Sequence, residues 1–137
     1  NIFLYEPSVA MASYYHEYIY PFIGNETPRQ HMLNIPVPAG TDGKAVQKIL
    51  KEQWIPFLKE QCPELIYISS GFDAHRDDPL AGMALIDDDY GWITRQLMHF
   101  ADEYCHGRVI SISEGGYHLG ALYGSVIAHV KALARIE

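Results

Sequence analysis

Two short apolar runs stand out against long stretches of helical periodicity. Leu65-Ile66-Tyr67-Ile68 and Val109-Ile110-Ser111-Ile112 are too short for helices and rich in β-branched residues. They predict buried parallel strands over 65–70 and 108–113. After each strand comes a helical pattern. Residues 87–104 place Tyr90, Ile93, Leu97, Phe100 and Tyr104 on one stripe, opened by Asp87-Asp88-Asp89, whose charges favour a helix N-terminus. Residues 118–135 carry Leu119, Leu122, Val126, Val130 and Leu133. A further helix is predicted over 42–61, with Val46, Ile49, Leu50, Trp54, Phe57 and Leu58 on one face. Pro56 lies inside that pattern and is expected to kink or shorten it.

Nearer the start, residues 8–15 are rich in Val, Met and Tyr, which suits a strand. Residues 16–31 hold Pro21, Gly24, Asn25 and Pro28 and read as an irregular loop. Leu33 to Val37 reads as a short strand, pushed towards a sheet edge by Pro36 and Pro38. Strands alternating with helices of these lengths predict an α/β fold, a parallel sheet covered on both faces. Nothing in the pattern marks a repeat or a linker, so residues 1–137 are taken as one domain.

The two predicted strands lead directly into the chain's densest chemistry. The first runs into Ser69-Ser70-Gly71-Phe72-Asp73-Ala74-His75-Arg76-Asp77-Asp78-Pro79-Leu80, and the second into Glu114-Gly115-Gly116-Tyr117. Carboxylates, an imidazole and a phenol are thereby delivered to the carboxyl edge of one sheet, where ligands bind in open α/β folds.

Composition narrows the classes. A chain of 137 residues, 48% apolar and 20% charged, supports one domain with a modest core. Its net charge of −7 excludes a general binder of nucleic acid or membrane surface, which would carry a basic stripe. No apolar stretch reaches the roughly 18 residues of a membrane span, and no signal-peptide pattern is present. Cys62 and Cys105 lack C-x-x-C spacing, so reduced thiols and a cytoplasmic location are expected.

The pattern S-x-G-F-D-A-H-x-x-D-P-L followed by E-G-G-Y, within residues 64–135, resembles the zinc-dependent histone deacetylase and acetylpolyamine amidohydrolase family, in particular its bacterial deacetylase-like members. The likeness extends more loosely through Phe3-Leu4-Tyr5-Glu6-Pro7-Ser8-Val9, Tyr20-Pro21-Phe22-Ile23-Gly24 and Asn34-Ile35-Pro36-Val37-Pro38-Ala39-Gly40-Thr41. It implies a three-layer α/β/α domain of the arginase and deacetylase kind, of which this chain is the C-terminal portion, truncated at the N-terminal side. By the resemblance, Asp73 is one of three zinc ligands, and Tyr117 is the tyrosine that donates a hydrogen bond to the oxyanion. Gly115 and Gly116 allow the turn before it. The family's other two ligands lie in an Asp-x-His motif that precedes this stretch. That motif and the consecutive histidines serving as acid and base are absent from residues 1–137. The resemblance also places Ser13 and Tyr14 at one structural potassium site, and the backbone carbonyls of Phe3, Glu6 and Val9 at another.

That combination suits amide hydrolysis. Zinc takes Asp and His ligands while keeping a position open, polarises a carbonyl and activates water. A phenol aimed at the developing oxyanion adds about 2.7–4 kcal/mol. The family hydrolyses acetyl amides of lysine or polyamines, and this chain alone is expected to be inactive, acting on an acetylated amine only if its site is completed. His75 is expected to hold the loop, as are Asp77 and Asp78, and Glu114 to bind backbone groups of the turn. The remaining histidines, at 16, 31, 99, 106, 118 and 129, lack ligand spacing and read as surface or internally satisfied groups.

Two alternatives stay open: a non-catalytic, self-associating remnant, and an arginase-like manganese ureohydrolase, which the D-A-H-x-D pattern also fits but which needs a second D-x-D-type motif. A sheet lacking its first strands would leave an open edge and bare apolar faces. The expected partner is therefore a second copy, or a chain carrying the missing N-terminal half.

Overall fold

The computed structural model describes residues 2–17 and 29–136. Most of the loop expected over 16–31, residues 18–28, and with it the family-like stretch Tyr20 to Gly24, lies outside the described residues. In chain order the elements are β1 (Met11–His16), β2 (Met32–Val37), α1 (Gly43–Ile49), a π-helical turn (Leu50–Trp54), α2 (Ile55–Gln61), β3 (Ile66–Ser70), α3 (Asp87–Tyr104), β4 (Val109–Ser113) and α4 (Leu119–Leu133). Both strand pairs are parallel. β1 runs beside β2 with Met11 opposite Met32, and β3 beside β4 with Ile66 opposite Val109 and Ser70 opposite Ser113. Among the described residues these form two separate two-stranded sheets. Pro36 falls within β2, whose one strand partner there is β1, as suits a residue without an N–H.

Pro56 neither breaks nor shortens the helical stretch. The ladder widens ahead of it instead: Ile55 N–H donates to Leu50 O, five residues back, and Pro56 falls in the first turn of α2, where no donor is needed. Asp42 caps α1 by accepting from Ala45 N–H at 2.9 Å. At the head of α3, the Asp89 carboxylate accepts from Ile86 N–H at 3.0 Å, and three aspartates occupy the first turn.

The core has two parts. One joins Val37, Val46, Phe72, Ala74, Met83, Leu85 and Tyr90, directly beneath the loops after β3 and β4. The other gathers Ile66, Phe100, Ala101 and Cys105, with Ile55 and Leu58 of α2 packed against them. α4 turns a different stripe inward from the one its large residues suggest. Ala121, Ser125, His129 and Ala132 are buried, while Leu119 is 82% exposed.

Around β3 and β4, the described residues cover one face. Ile66 and Ser70 point into the core, but on the opposite face Tyr67 is 63% exposed, Ile110 43% and Ile112 53%. No helix among the described residues is long and apolar enough to cross a membrane.

Candidate metal-ligand and oxyanion site

The loops after β3 and β4 are tied to each other by their main chains. Glu114 N–H donates to Ser70 O at 2.9 Å, extending the ladder past the strand ends, and Phe72 N–H donates to Gly115 O at 2.7 Å. A third tie comes from Asp78. Its buried carboxylate accepts from Tyr117 N–H at 2.8 Å and from Leu80 N–H at 2.9 Å. One carboxylate thus spans both loops, the organising part expected of it from sequence.

Asp73 sits between two glycines. A Cβ on Gly115 would come within 3.1 Å of its Cγ, and one on Gly71 within 2.9 Å of its Oδ1. Glycine at both positions lets the two backbones approach the carboxylate without displacing it. Gly116 has φ +145°, a backbone conformation that L side chains rarely adopt, so the turn before Tyr117 favours glycine. Burial pushes the Asp73 carboxyl above the usual carboxylate range. The charges of Asp78 and Glu114 add to this, and backbone N–H groups of Asp73 and Ala74 offset part of it. The Tyr14 phenol is raised as well, by burial first and then by Asp73 and Asp89. Tyr14, stacked on Trp54 at 5.8 Å, therefore belongs to the surroundings of Asp73.

The Tyr117 side chain is 59% exposed, and its hydroxyl has no hydrogen bond among the described residues. The backbone is anchored to Asp78 and the phenol is exposed. Glu114 departs from expectation: its N–H, not its carboxylate, makes the hydrogen bond of the turn, and its side chain acts on the site through charge.

His75 is engaged by Asp77 and Asp87. Its Nδ1 accepts from Asp77 N–H at 3.1 Å, so the proton sits on Nε2, which faces Asp87 Oδ1 at 3.5 Å. The Ser125 hydroxyl donates to that same oxygen at 2.7 Å. The buried imidazole links this loop to the head of α3, and through Asp87 to the middle of α4. Asp87 and Ser125 escaped the sequence reading, because only the fold brings them together.

Several of the residues assigned to potassium make local hydrogen bonds. The Ser13 hydroxyl donates to Asn34 Oδ1 at 2.7 Å. Phe3 O accepts from Glu6 N–H and Glu6 O from Val9 N–H, both at 3.1 Å, and His31 Nε2 lies 3.2 Å from Phe3 O. Phe3, Glu6 and Val9 therefore form successive turns with their carbonyls three residues apart.

Asp73 is the residue that the family resemblance assigns to zinc, and its surroundings can be set against that assignment. It is a partly desolvated carboxylate in negative surroundings, cradled where a side chain would collide. A tetrahedral ion needs further ligands. Among the described residues no group of three or more His, Cys, Asp or Glu side chains is placed to hold a metal.

A model of the histone deacetylase domain matches residues 1–133. Type-2 histone deacetylase 1 of Dictyostelium discoideum is 41% identical over 110 residues, covering 80% of this chain and 7% of that protein. Chloroplastic histone deacetylase 14 of Arabidopsis thaliana is 31% identical over 139 residues, covering 97% of this chain and 33% of its own length. The solved structure of the histone deacetylase Clr3 superposes with a TM-score of 0.88 at 26% identity, covering 98% of this chain and 24% of that one. The chain thus spans about a third or less of the length of each of these three.

Proposed function

Because the chain belongs to the histone deacetylase domain family, we propose that it contributes the Asp73 ligand and the Tyr117 phenol to a zinc-dependent site that hydrolyses acetylated amines, with the remaining ligands supplied from outside residues 1–137. The observation that carries this reading is the 2.7 Å bond between Phe72 N–H and Gly115 O, which ties the loop of Asp73 to that of Tyr117. Zinc, when bound, supplies carbonyl polarisation and an activated water. Asp73 holds its carboxylate ready in a pocket that favours a cation. Tyr117 offers a donor to the carbonyl oxygen as charge develops there, while Asp78 fixes the backbone from which it reaches. Lysine and polyamine acetamides present the same reacting group.

In the full-length protein, acetyl-lysine or acetylpolyamine hydrolysis should vanish on chelation and return with added zinc. Hydrolysis indifferent to chelation, or stoichiometric zinc binding without turnover of either substrate class, would reject the reading.

The bare face of β3 and β4 supports a second element of it. Parallel sheets are stable with both faces covered, and relatives devote most of their length to sequence this chain does not match. We propose that the rest of a deacetylase-type α/β domain covers Tyr67, Ile110 and Ile112. Prepared alone, residues 1–137 should self-associate through that face and sediment as a dimer or larger species. Ile112→Lys should return the chain towards monomer. A well-behaved wild-type monomer would contradict the assignment.

A further inference from the structure

Resting on that reading of the site, we propose that His129 is a positioning residue: through hydrogen bonds beneath the sheet it ties the end of β3 to the middle of β4, and so holds the spacing of Asp73 and Tyr117. His129 is on α4, buried, and remote in sequence from both loops. Its Nδ1 lies 2.6 Å from Thr94 Oγ1. The Thr94 proton is committed to Tyr90 O at 2.7 Å, so Thr94 accepts and Nδ1 carries the hydrogen. Nε2 is then the acceptor. Ser111 Oγ of β4 lies 2.8 Å from it and Ser70 Oγ of β3 3.2 Å, with 2.8 Å between the two hydroxyls. The consistent arrangement runs from Ser70 O–H to Ser111 Oγ, and from Ser111 O–H to Nε2. One neutral ring in one tautomer thereby pins both strands.

The second arm reaches the loop itself. The Phe72 ring meets His129 edge-on at 5.7 Å, and Phe72 O accepts from Tyr90 O–H at 3.0 Å. Phe72 is the residue before Asp73, and its N–H makes the 2.7 Å bond to Gly115 O. A circuit from His129 through Thr94, Tyr90 and Phe72 returns to the ring and includes the backbone tie between the loops.

The groups facing the imidazole are Thr94 and its hydrogen-bond partner Tyr90 from α3, Ser70 and Phe72 from β3 and its loop, and Ser111 from β4. These are hydroxyls and a phenyl ring, and among the described residues no carboxylate faces the ring to compensate a positive charge. Burial accordingly lowers the His129 pKa below that of an ordinary histidine. Protonation would turn Nε2 from acceptor into donor, forcing Ser111 to reorient beside an unpaired charge.

Amide hydrogen exchange in the intact protein, without substrate, tests this. In His129→Leu, protection at Phe72, Glu114 and Tyr117 should fall by about tenfold or more, as expected for a lost buried network, while Val46 in α1 keeps its wild-type rate. His129→Gln, which retains a donor and an acceptor, should recover most of the protection. Lowering the pH from about 7 to about 5 should loosen the same three amides in wild type, beyond the intrinsic change, and not in the leucine variant. Should His129→Leu fail to fold, Ser111→Ala removes the hydrogen bond to Nε2 with little change in volume, and the same pattern is expected.

Wild-type protection at these amides in both variants would overturn the proposal, as would a uniform loss across the protein that glutamine does not rescue. In the active protein, turnover should fall with KM held. Absence of acetyl-amide hydrolysis in wild type would instead count against the deacetylase reading, leaving exchange to decide whether His129 sets the loops.

Discussion

Tyr117→Phe in the full-length protein is expected to lower turnover by about a hundredfold or more, the loss typical of one oxyanion donor, with KM little changed and the melting temperature intact. The reasons are local. Tyr117 is exposed, and its hydroxyl has no hydrogen bond among the described residues, so deleting the oxygen disturbs no packing. Its place is held through the main chain, by the 2.8 Å bond from its N–H to Asp78 and by the turn at Gly116, and phenylalanine keeps both. What disappears is one donor aimed at an oxygen that gains charge only in the transition state, so turnover carries the effect and ground-state binding does not. Steady-state kinetics with an acetyl-lysine peptide, beside a thermal melt, separates the cases. Turnover within a factor of a few of wild type would remove Tyr117 from the chemistry.

Much of this arrangement is legible in the chain because the signals are local. β3 and β4 appear as apolar runs bounded by chemistry, and α3 starts at Asp87 because its charges and its apolar period begin together. The meeting of Asp73 with the Gly-Gly-Tyr turn follows from strand order alone. Elsewhere local signals mislead. Pro56 announces a disturbance, but whether the ladder breaks, bends or widens depends on packing of Ile55 and Leu58 against β3. α4 is apolar on nearly every side, so periodicity cannot orient it. Its inward stripe contains Ser125 and His129, polar groups that make sense only beside Asp87, Thr94, Ser70 and Ser111. A buried network assembled from four elements leaves no mark in any one of them. The potassium assignment of Phe3, Glu6 and Val9 rests on likeness to a family, and the structure adds only that these residues form successive turns.

Asp73→Asn should pull activity and stability in opposite directions. Replacing a carboxylate ligand with an amide should reduce zinc-dependent turnover by at least about a hundredfold, more than the 10–100-fold typical of losing an outer-shell partner. Without metal, the same variant should melt higher than wild type near pH 7. Burial, Asp78 and Glu114 raise the folded-state pKa of Asp73 above its unfolded value. A raised pKa means that its contribution to stability is complete below the unfolded pKa and is lost as pH rises through the folded one. At neutral pH the ionised carboxylate is therefore held against its own preference, and asparagine, nearly isosteric and neutral, relieves that. The gain should shrink as pH falls towards the ordinary carboxylate range, where wild-type Asp73 takes up a proton and the two chains become alike. Zinc should reverse the order in the complete protein. At a hundredfold excess over Kd, a bound ion stabilises the folded state by about 2.7 kcal/mol, and the variant forgoes most of it by losing affinity. Melts with and without zinc at two pH values read both signs. A metal-free variant less stable than wild type at pH 7 would mean that Asp73 is a structural acceptor, and a zinc-induced shift preserved in the variant would remove it from the metal's ligands.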